Sequence, residues 1–154
     1  MNRNKLNSYL SFKLGNDTYA ANVLNTIKIL QLTDITRVPN SPNQLVGVIN
    51  HHGNVLPVID LKQALNLPET EVSNNTCIII LALDEEEESN NIGAIVDEVL
   101  NVEEVAPQNI SDAPSLGSSN TLEHIAGVFK KDEEFIMILN IERILSDVSQ
   151  SINN

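Results

Sequence analysis

Two adjacent histidines, His51 and His52, sit inside LVGVINHHGNVLPVIDLKQAL (Leu45–Leu65), and they are the first residues here whose types could do chemistry. Paired imidazoles could ligate a transition metal or pass a proton. Their spacing argues against both. Chelating histidines on a helix stand at i and i+4, and neighbours on a strand point to opposite faces. No CxxC or HxxxH pattern occurs, and the remaining histidine is the distant His124. Cys77, the single cysteine, lies in the apolar run TCIIILAL, where a buried and inert thiol is expected. Ser115 in PSLGSS has no local histidine or acid, and GxSxG, GxGxxG and P-loop patterns are absent. The acidic run Asp84–Glu88 lacks the glycine-centred spacing of a calcium loop and reads as a solvated hairpin tip. Asp60 is placed to cap a helix. Asp97 and Glu98 alternate across a strand, so only one of them can face any cleft. No catalytic set, no metal and no cofactor is expected.

The elements that carry these residues must be built from aliphatic side chains. The 154 residues are 42% hydrophobic but only 3% aromatic, so the core is Ile, Val and Leu. The length suits one domain or two closely joined lobes. Twenty-one acidic residues against nine basic ones give a net charge of -12, which disfavours nucleic acid and an anionic membrane surface as partners. The apolar runs fall well short of the roughly 20 residues that span a bilayer. MNRNKLNSYL has no apolar stretch of signal-peptide length. A soluble cytoplasmic protein is expected.

Strand signals dominate. In YLSFKL, Leu10, Phe12 and Leu14 alternate with Tyr9, Ser11 and Lys13, which predicts a half-buried strand. TYAANV and TIKIL follow, then an extended proline loop, TRVPNSPNQ. LVGVIN and VLPVID are apolar on both faces, with HHGN as a four-residue hairpin loop. Asp60 caps the short helix LKQALN, with Gln63 three residues on completing a capping-box pattern. TCIIILAL, IGAIVDEV, VEEVAP, HIAGVF and EFIMIL continue the strands. Asn140 caps IERILSDVSQSI, whose Ile141, Ile144, Leu145 and Val148 share one face.

Shifted by 80 positions, Leu45–Leu65 overlays Ile125–Leu145 without a gap. Gly47 falls on Gly127, Val48 on Val128, Pro57 on Met137, Ile59 on Leu139, Asp60 on Asn140 and Leu65 on Leu145. Upstream, YAANVL is similar to IGAIVDEV and ITRVPN to VEEVAP, in the same order. The chain reads as two copies of one β motif ending in a capped helix. That predicts two lobes, each a small barrel of five or six strands, with an apolar groove between them able to take an amphipathic helix.

TRVPNSPNQLVGVINHHGNVLPVIDL resembles the signature of the CheW family of chemotaxis coupling proteins, which reads close to VPxxPxxxxGVxNLRGxxxPVxDL. IGAIVDEVLNVEEV resembles the family's GxxVDxV segment, and HIAGVFKKDEEFIMILNIERIL its final hairpin and helix. The likeness runs from about Tyr9 to Leu145. It implies an all-β fold with short helices: two SH3-like five-stranded β-barrel lobes around a shared core, with a C-terminal helix. It also implies a single CheW-like domain over 8–148, with flexible tails at 1–7 and 149–154. The implied function is a non-enzymatic scaffold without cofactor. Such a scaffold links the cytoplasmic hairpin of a methyl-accepting chemoreceptor to the regulatory domain of a CheA-type histidine kinase, at receptor arrays beneath the inner membrane. The alternative is a module of the same fold in a sensory pathway other than chemotaxis. Position by position, the family's receptor-groove sites fall on Val23, Lys28, His52, Cys77, Gly93 and Val99. Thr26 and Gly47 match positions tied to kinase contact or coupling. The chain departs from the family at Lys28, where a Glu is usual, and at His51 and His52, which replace the Leu and Arg of NLRG. Arginine is always charged and forked, whereas histidine changes charge near neutral pH.

Overall fold

The structure, a computed structural model, describes residues 6–40, 45–83, 91–112 and 123–152. Asp84–Glu88 and Ser115 lie outside the described residues. Two five-stranded sheets make up the body. The first contains β1 (Asn7–Leu14), β2 (Asp17–Asn22), β8 (Glu98–Val105), β9 (Ile125–Lys131) and β10 (Glu134–Leu139), in the order β8-β1-β2-β10-β9. The second contains β3 (Thr26–Gln31), β4 (Leu45–His51), β5 (Asn54–Asp60), β6 (Cys77–Leu81) and β7 (Ile92–Val96), in the order β3-β6-β7-β5-β4. Helix α1 (Leu61–Ala64) follows β5, and helix α2 (Ile141–Ile152) follows β10.

The duplication is visible in the hydrogen bonding. Replacing each strand of the second sheet by its repeat partner turns the order 3-6-7-5-4 into 8-1-2-10-9, which is the first sheet. The isolated bridges Thr36–Val48 and Ser111–Val128 are likewise equivalent. So are the helix caps: Asp60 accepts from the Lys62 N–H, and Asn140 from the Arg143 N–H. The family likeness implies intertwined lobes and leaves their boundary open; the pairing shows where the chain crosses. Strands β1 and β2 of the first copy pair with β8 and β10 of the second, through one antiparallel and one parallel contact. Each copy therefore depends on the other to complete its sheet.

This exchange explains why β1 is not half-buried as its alternation predicts. Leu10, Phe12 and Leu14 enter a central core between the sheets, with Ile59, Ile79, Leu81, Ala94 and the inner face of α2. Tyr9 on the opposite face packs with Ala20, Phe129, Ile136 and Ile138 in a second core belonging to the first sheet alone. Its ring lies 5.9 Å from that of Phe129. The second sheet has the matching arrangement, with Ile49, Leu56, Val58, Ile78 and Ile80 on its outer face. Each sheet curls over its own small core and shares a third, so CIIIL and IGAIV are apolar throughout.

The sheets curl without closing. Among the described residues no pairing joins the two outer strands of either sheet. All four outer strands instead carry a register shift: at Ile27 in β3, Val46 in β4, 100–101 in β8 and Ala126 in β9. Such bulges twist an edge away from further pairing. In β8, Ser11 satisfies the bulge, accepting from the Asn101 N–H and donating to the Asn101 carbonyl.

Candidate functional site

The hairpin that opened the sequence question turns in two residues rather than four. Strand β4 runs through His51 and β5 starts at Asn54. His52 (φ 53°) and Gly53 (φ 83°) both take positive φ, the signature of a type I′ turn. Asn50 Oδ1 accepts the Gly53 N–H at 3.0 Å. Strand alternation no longer governs His52 once it occupies the turn, and the His51 and His52 rings meet at 4.1 Å between centroids. The pair is thus adjacent in space, which the opposite-face rule did not anticipate. Among the described residues no three His, Cys, Asp or Glu side chains converge to hold a metal ion.

Of the positions of interest, Val23, Cys77 and Val99 lie at the junction between the lobes. The chain passes from the first sheet to the second through the 3-10 turn Val23–Asn25, and returns between β7 and β8 at Asp97. Strands β3 and β8, which begin just after these passages, are outer strands and repeat partners. Val23 lies in the first passage, and its carbonyl accepts the Thr26 hydroxyl at 2.9 Å. Val99 lies two residues past the second, and its backbone N–H is directed at the Cys77 sulfur. Cys77 and Val99 both pack on the rim of the central core. Burial raises the Cys77 thiol above its ordinary pKa, and the Val99 N–H offsets part of that rise.

Cross-strand partners share a face, and this sorts the groove from its surroundings. Ile29 pairs with Ile79 and Val102 with Leu10, both central-core residues. Ile29 and Val102 therefore continue the shared apolar face outward, yet they stay 46% and 59% exposed. Cys77 and Val99, packed against the same core, adjoin this exposed apolar surface where the lobes meet. Lys28 pairs with Ile80, a residue of the second sheet's own core, so it lies on the other face of β3 from Ile29. His52 stands at the exposed hairpin tip.

Gly93 and Gly47 are buried backbone positions rather than contact surfaces. A Cβ on Gly93 would lie 2.9 Å from the Ile78 side chain, inside the second sheet's core. A Cβ on Gly47 would lie 2.2 Å from the Thr36 carbonyl oxygen. Sequence reasoning did not single out Ile29 and Val102. The signal was present in TIKILQ and EVLNVEEV, where apolar residues persist on strands that prove to be outermost.

A polar cluster also went unread. Lys62, 4% exposed, donates to Asp97 Oδ1 and to the Thr70 hydroxyl, and Thr70 donates to the same carboxylate oxygen at 2.8 Å. Asp97 Oδ2 accepts the Gly15 N–H at 2.6 Å. Burial pushes the Asp97 carboxyl up, but Lys62, the Gly15 N–H and the Thr70 hydroxyl together hold it below the ordinary carboxylate range. A lysine in a four-residue helix carries no pattern that marks it as a buried partner.

Two curled sheets, each completed by strands of both repeat copies and packed on a shared core, define the class of fold. Residues 8–149 match the CheW-like domain, and the chain belongs to that family. It is 35% identical to the chemotaxis protein CheW of Bacillus subtilis over 138 residues, covering 90% of this chain and 86% of that one. It is 27% identical to CheW of Klebsiella aerogenes over 144 residues, covering 94% and 84%. The crystal structure of the scaffolding protein TtCheW from Thermoanaerobacter tengcongensis superposes with a TM-score of 0.80 at 26% identity, over 90% of this chain and 92% of that one.

Proposed function

We propose that this chain is a non-enzymatic chemotaxis scaffold that couples the cytoplasmic hairpin of a chemoreceptor to the regulatory domain of a CheA-type histidine kinase. The observation that carries this reading is the exposure of Ile29 and Val102, which continue the central core's apolar face into solvent in a member of the CheW-like family; we take them to line the receptor groove between the lobes. A two-helix receptor tip presents the amphipathic stripe that such a groove accommodates. Val23, Cys77 and Val99 take receptor contacts at the groove. Lys28 and His52 flank it as polar positions, while Gly93 and Gly47 act through the close packing they permit. Thr26, hydrogen-bonded to the crossing at Val23, relays between receptor and kinase sides. The protein works in the cytoplasm at receptor arrays. No described helix is long and apolar enough to cross a membrane.

Binding of labelled receptor hairpin and of kinase regulatory domain, measured separately, tests this. Wild type binds both. Val102→Asp places an uncompensated carboxylate in the apolar contact and lowers receptor affinity by at least about tenfold, with kinase affinity unchanged. Wild type that binds neither partner, or Val102→Asp that binds the hairpin as wild type does, overturns the proposal.

A further inference from the structure

We infer that the Asp97 carboxylate is an interlobe staple, one oxygen held by each lobe, and that it sets the position of the groove wall. Oδ2 takes the N–H of Gly15, in the β1–β2 turn of the first sheet. Oδ1 takes Lys62 and Thr70, which follow the second sheet's β5. The Asp97 N–H completes the attachment by donating to the Lys13 carbonyl at 3.0 Å. Lys62 is itself held at its backbone by the Asp60 cap, so its ammonium is aimed from a fixed helix. Asp97 is the residue through which the chain returns to the first sheet, directly before β8. Anchoring it fixes where β8 begins, and hence where Val99 and Val102 stand opposite Cys77 and Ile29.

The repeat supplies an internal comparison. At the other crossing the equivalent residue is Leu24, which is 76% exposed. There the neighbouring Asn25 donates its side-chain amide to the Ala82 carbonyl at 3.0 Å, and its own carbonyl accepts the Ala82 N–H at 2.9 Å. That pair ties the crossing to the second sheet, after β6, whereas the Asp97 carboxylate is held from both lobes. The surrounding charges do not replace it. Asp17, Glu69 and Glu71 line the cleft beside Asp97, and all are carboxylates. Lys13 is paired in register with Glu98 and is exposed.

The inference stands on the fold and does not require the receptor reading, and its test uses the free protein. Cys77, the single cysteine, sits on the groove rim against Val99 and reports opening there. Thiol alkylation is followed under native conditions in wild type, Asp97→Asn, Lys62→Met and a control, Ile136→Val. Ile136 lies in the first sheet's own core, away from the groove. Global stability of each variant is measured by urea unfolding. Asp97→Asn is expected to speed Cys77 alkylation by about tenfold or more over a control of matched stability, as expected when charge-assisted hydrogen bonds holding a local opening are lost. Lys62→Met, which spares the Gly15 contact, gives a smaller acceleration. Alkylation that tracks global stability along the same line as Ile136→Val overturns the staple. If Asp97→Asn does not fold, Thr70→Val removes one arm alone, and the same comparison decides: excess alkylation supports the staple, and none overturns it.

Discussion

Gly47→Ala should be costly, while its repeat partner Gly127→Ala should be mild. The added Cβ at 47 would sit 2.2 Å from the Thr36 carbonyl oxygen and 2.8 Å from its carbon. These are backbone atoms held by a reciprocal bridge, Thr36 N–H to Val48 at 2.9 Å and Val48 N–H to Thr36 at 2.8 Å. Relieving the overlap means moving the 35–36 segment off β4. That forfeits two hydrogen bonds, each worth about 0.5–1.5 kcal/mol, and adds overpacking strain of about 1–3 kcal/mol. The sum is roughly 2–6 kcal/mol. At 127 the nearest atoms are the Ile110 side-chain methyl at 3.0 Å and the Ser111 carbonyl at 3.1 Å. A methyl can rotate away, so about 1 kcal/mol or less is expected there. The chain has no tryptophan, so urea unfolding is read by far-ultraviolet circular dichroism. With a slope of about 2 kcal/mol per molar urea, Gly47→Ala lowers the midpoint by about 1–3 M. A Gly47→Ala midpoint within about 0.3 M of wild type, or a Gly127→Ala loss as large as that at 47, refutes the close-packing argument. Confirmation would mean that Gly47 is required for the close approach of β4 to the 35–36 segment.

Two further outcomes follow from strained and charged positions. The β9–β10 hairpin turns through Asp132 (φ 49°) and Glu133 (φ 68°), so both turn residues are left-handed without a glycine. Glu133→Gly should stabilise the protein by about 0.5 kcal/mol, the relieved strain exceeding the added chain entropy, and a lowered urea midpoint would contradict this. Asp97 has its folded-state pKa depressed, so its contribution is present above the unfolded carboxylate value of about 3.9 and is lost as pH falls through the folded one. The stability gap between wild type and Asp97→Asn should therefore be widest at neutral pH and shrink as pH drops below about 4. A gap that stays constant to pH 3 would show that the carboxylate charge does not carry the link.

What the sequence revealed and what it hid divide along physical lines. Local periodicity located the strands, and an ungapped repeat with a matching helix cap located the duplication. The burial of Ile141, Ile144, Leu145 and Val148 followed from helical spacing alone. Three features depend on distant partners and left no local mark. Ser11 is completely buried because a bulge 90 residues away needs its hydroxyl. Lys62 is buried because Asp97 meets it across the lobes. His52 faces His51 because the turn is one step tighter than HHGN suggests. The positions carried over by family likeness were a mixture in the same sense. Cys77 and Val99 pack at the edge of the central core, while Gly47 and Gly93 occupy places where an added Cβ would collide with its neighbours.

The strand exchange explains why this site is at the junction and not on either lobe. A sheet assembled from one repeat copy would need no crossing, and its two outer strands would be free of each other. Here the chain crosses once after β2 and returns once before β8. Each crossing starts an outer strand whose inner-facing residues continue the shared core into solvent. Ile29 and Val102 are repeat equivalents, so the two lobes present matching exposed apolar residues. The asymmetry enters at the crossings themselves. One is fixed by the Asp97 carboxylate, through an ion pair to Lys62 and the Gly15 N–H. The other, the 3-10 turn Val23–Asn25, carries an exposed Leu24 and is held by the neutral reciprocal pair between Asn25 and Ala82. A charged link weakens when its carboxylate is protonated and a neutral amide pair does not, so lowering the pH loosens the two crossings unequally.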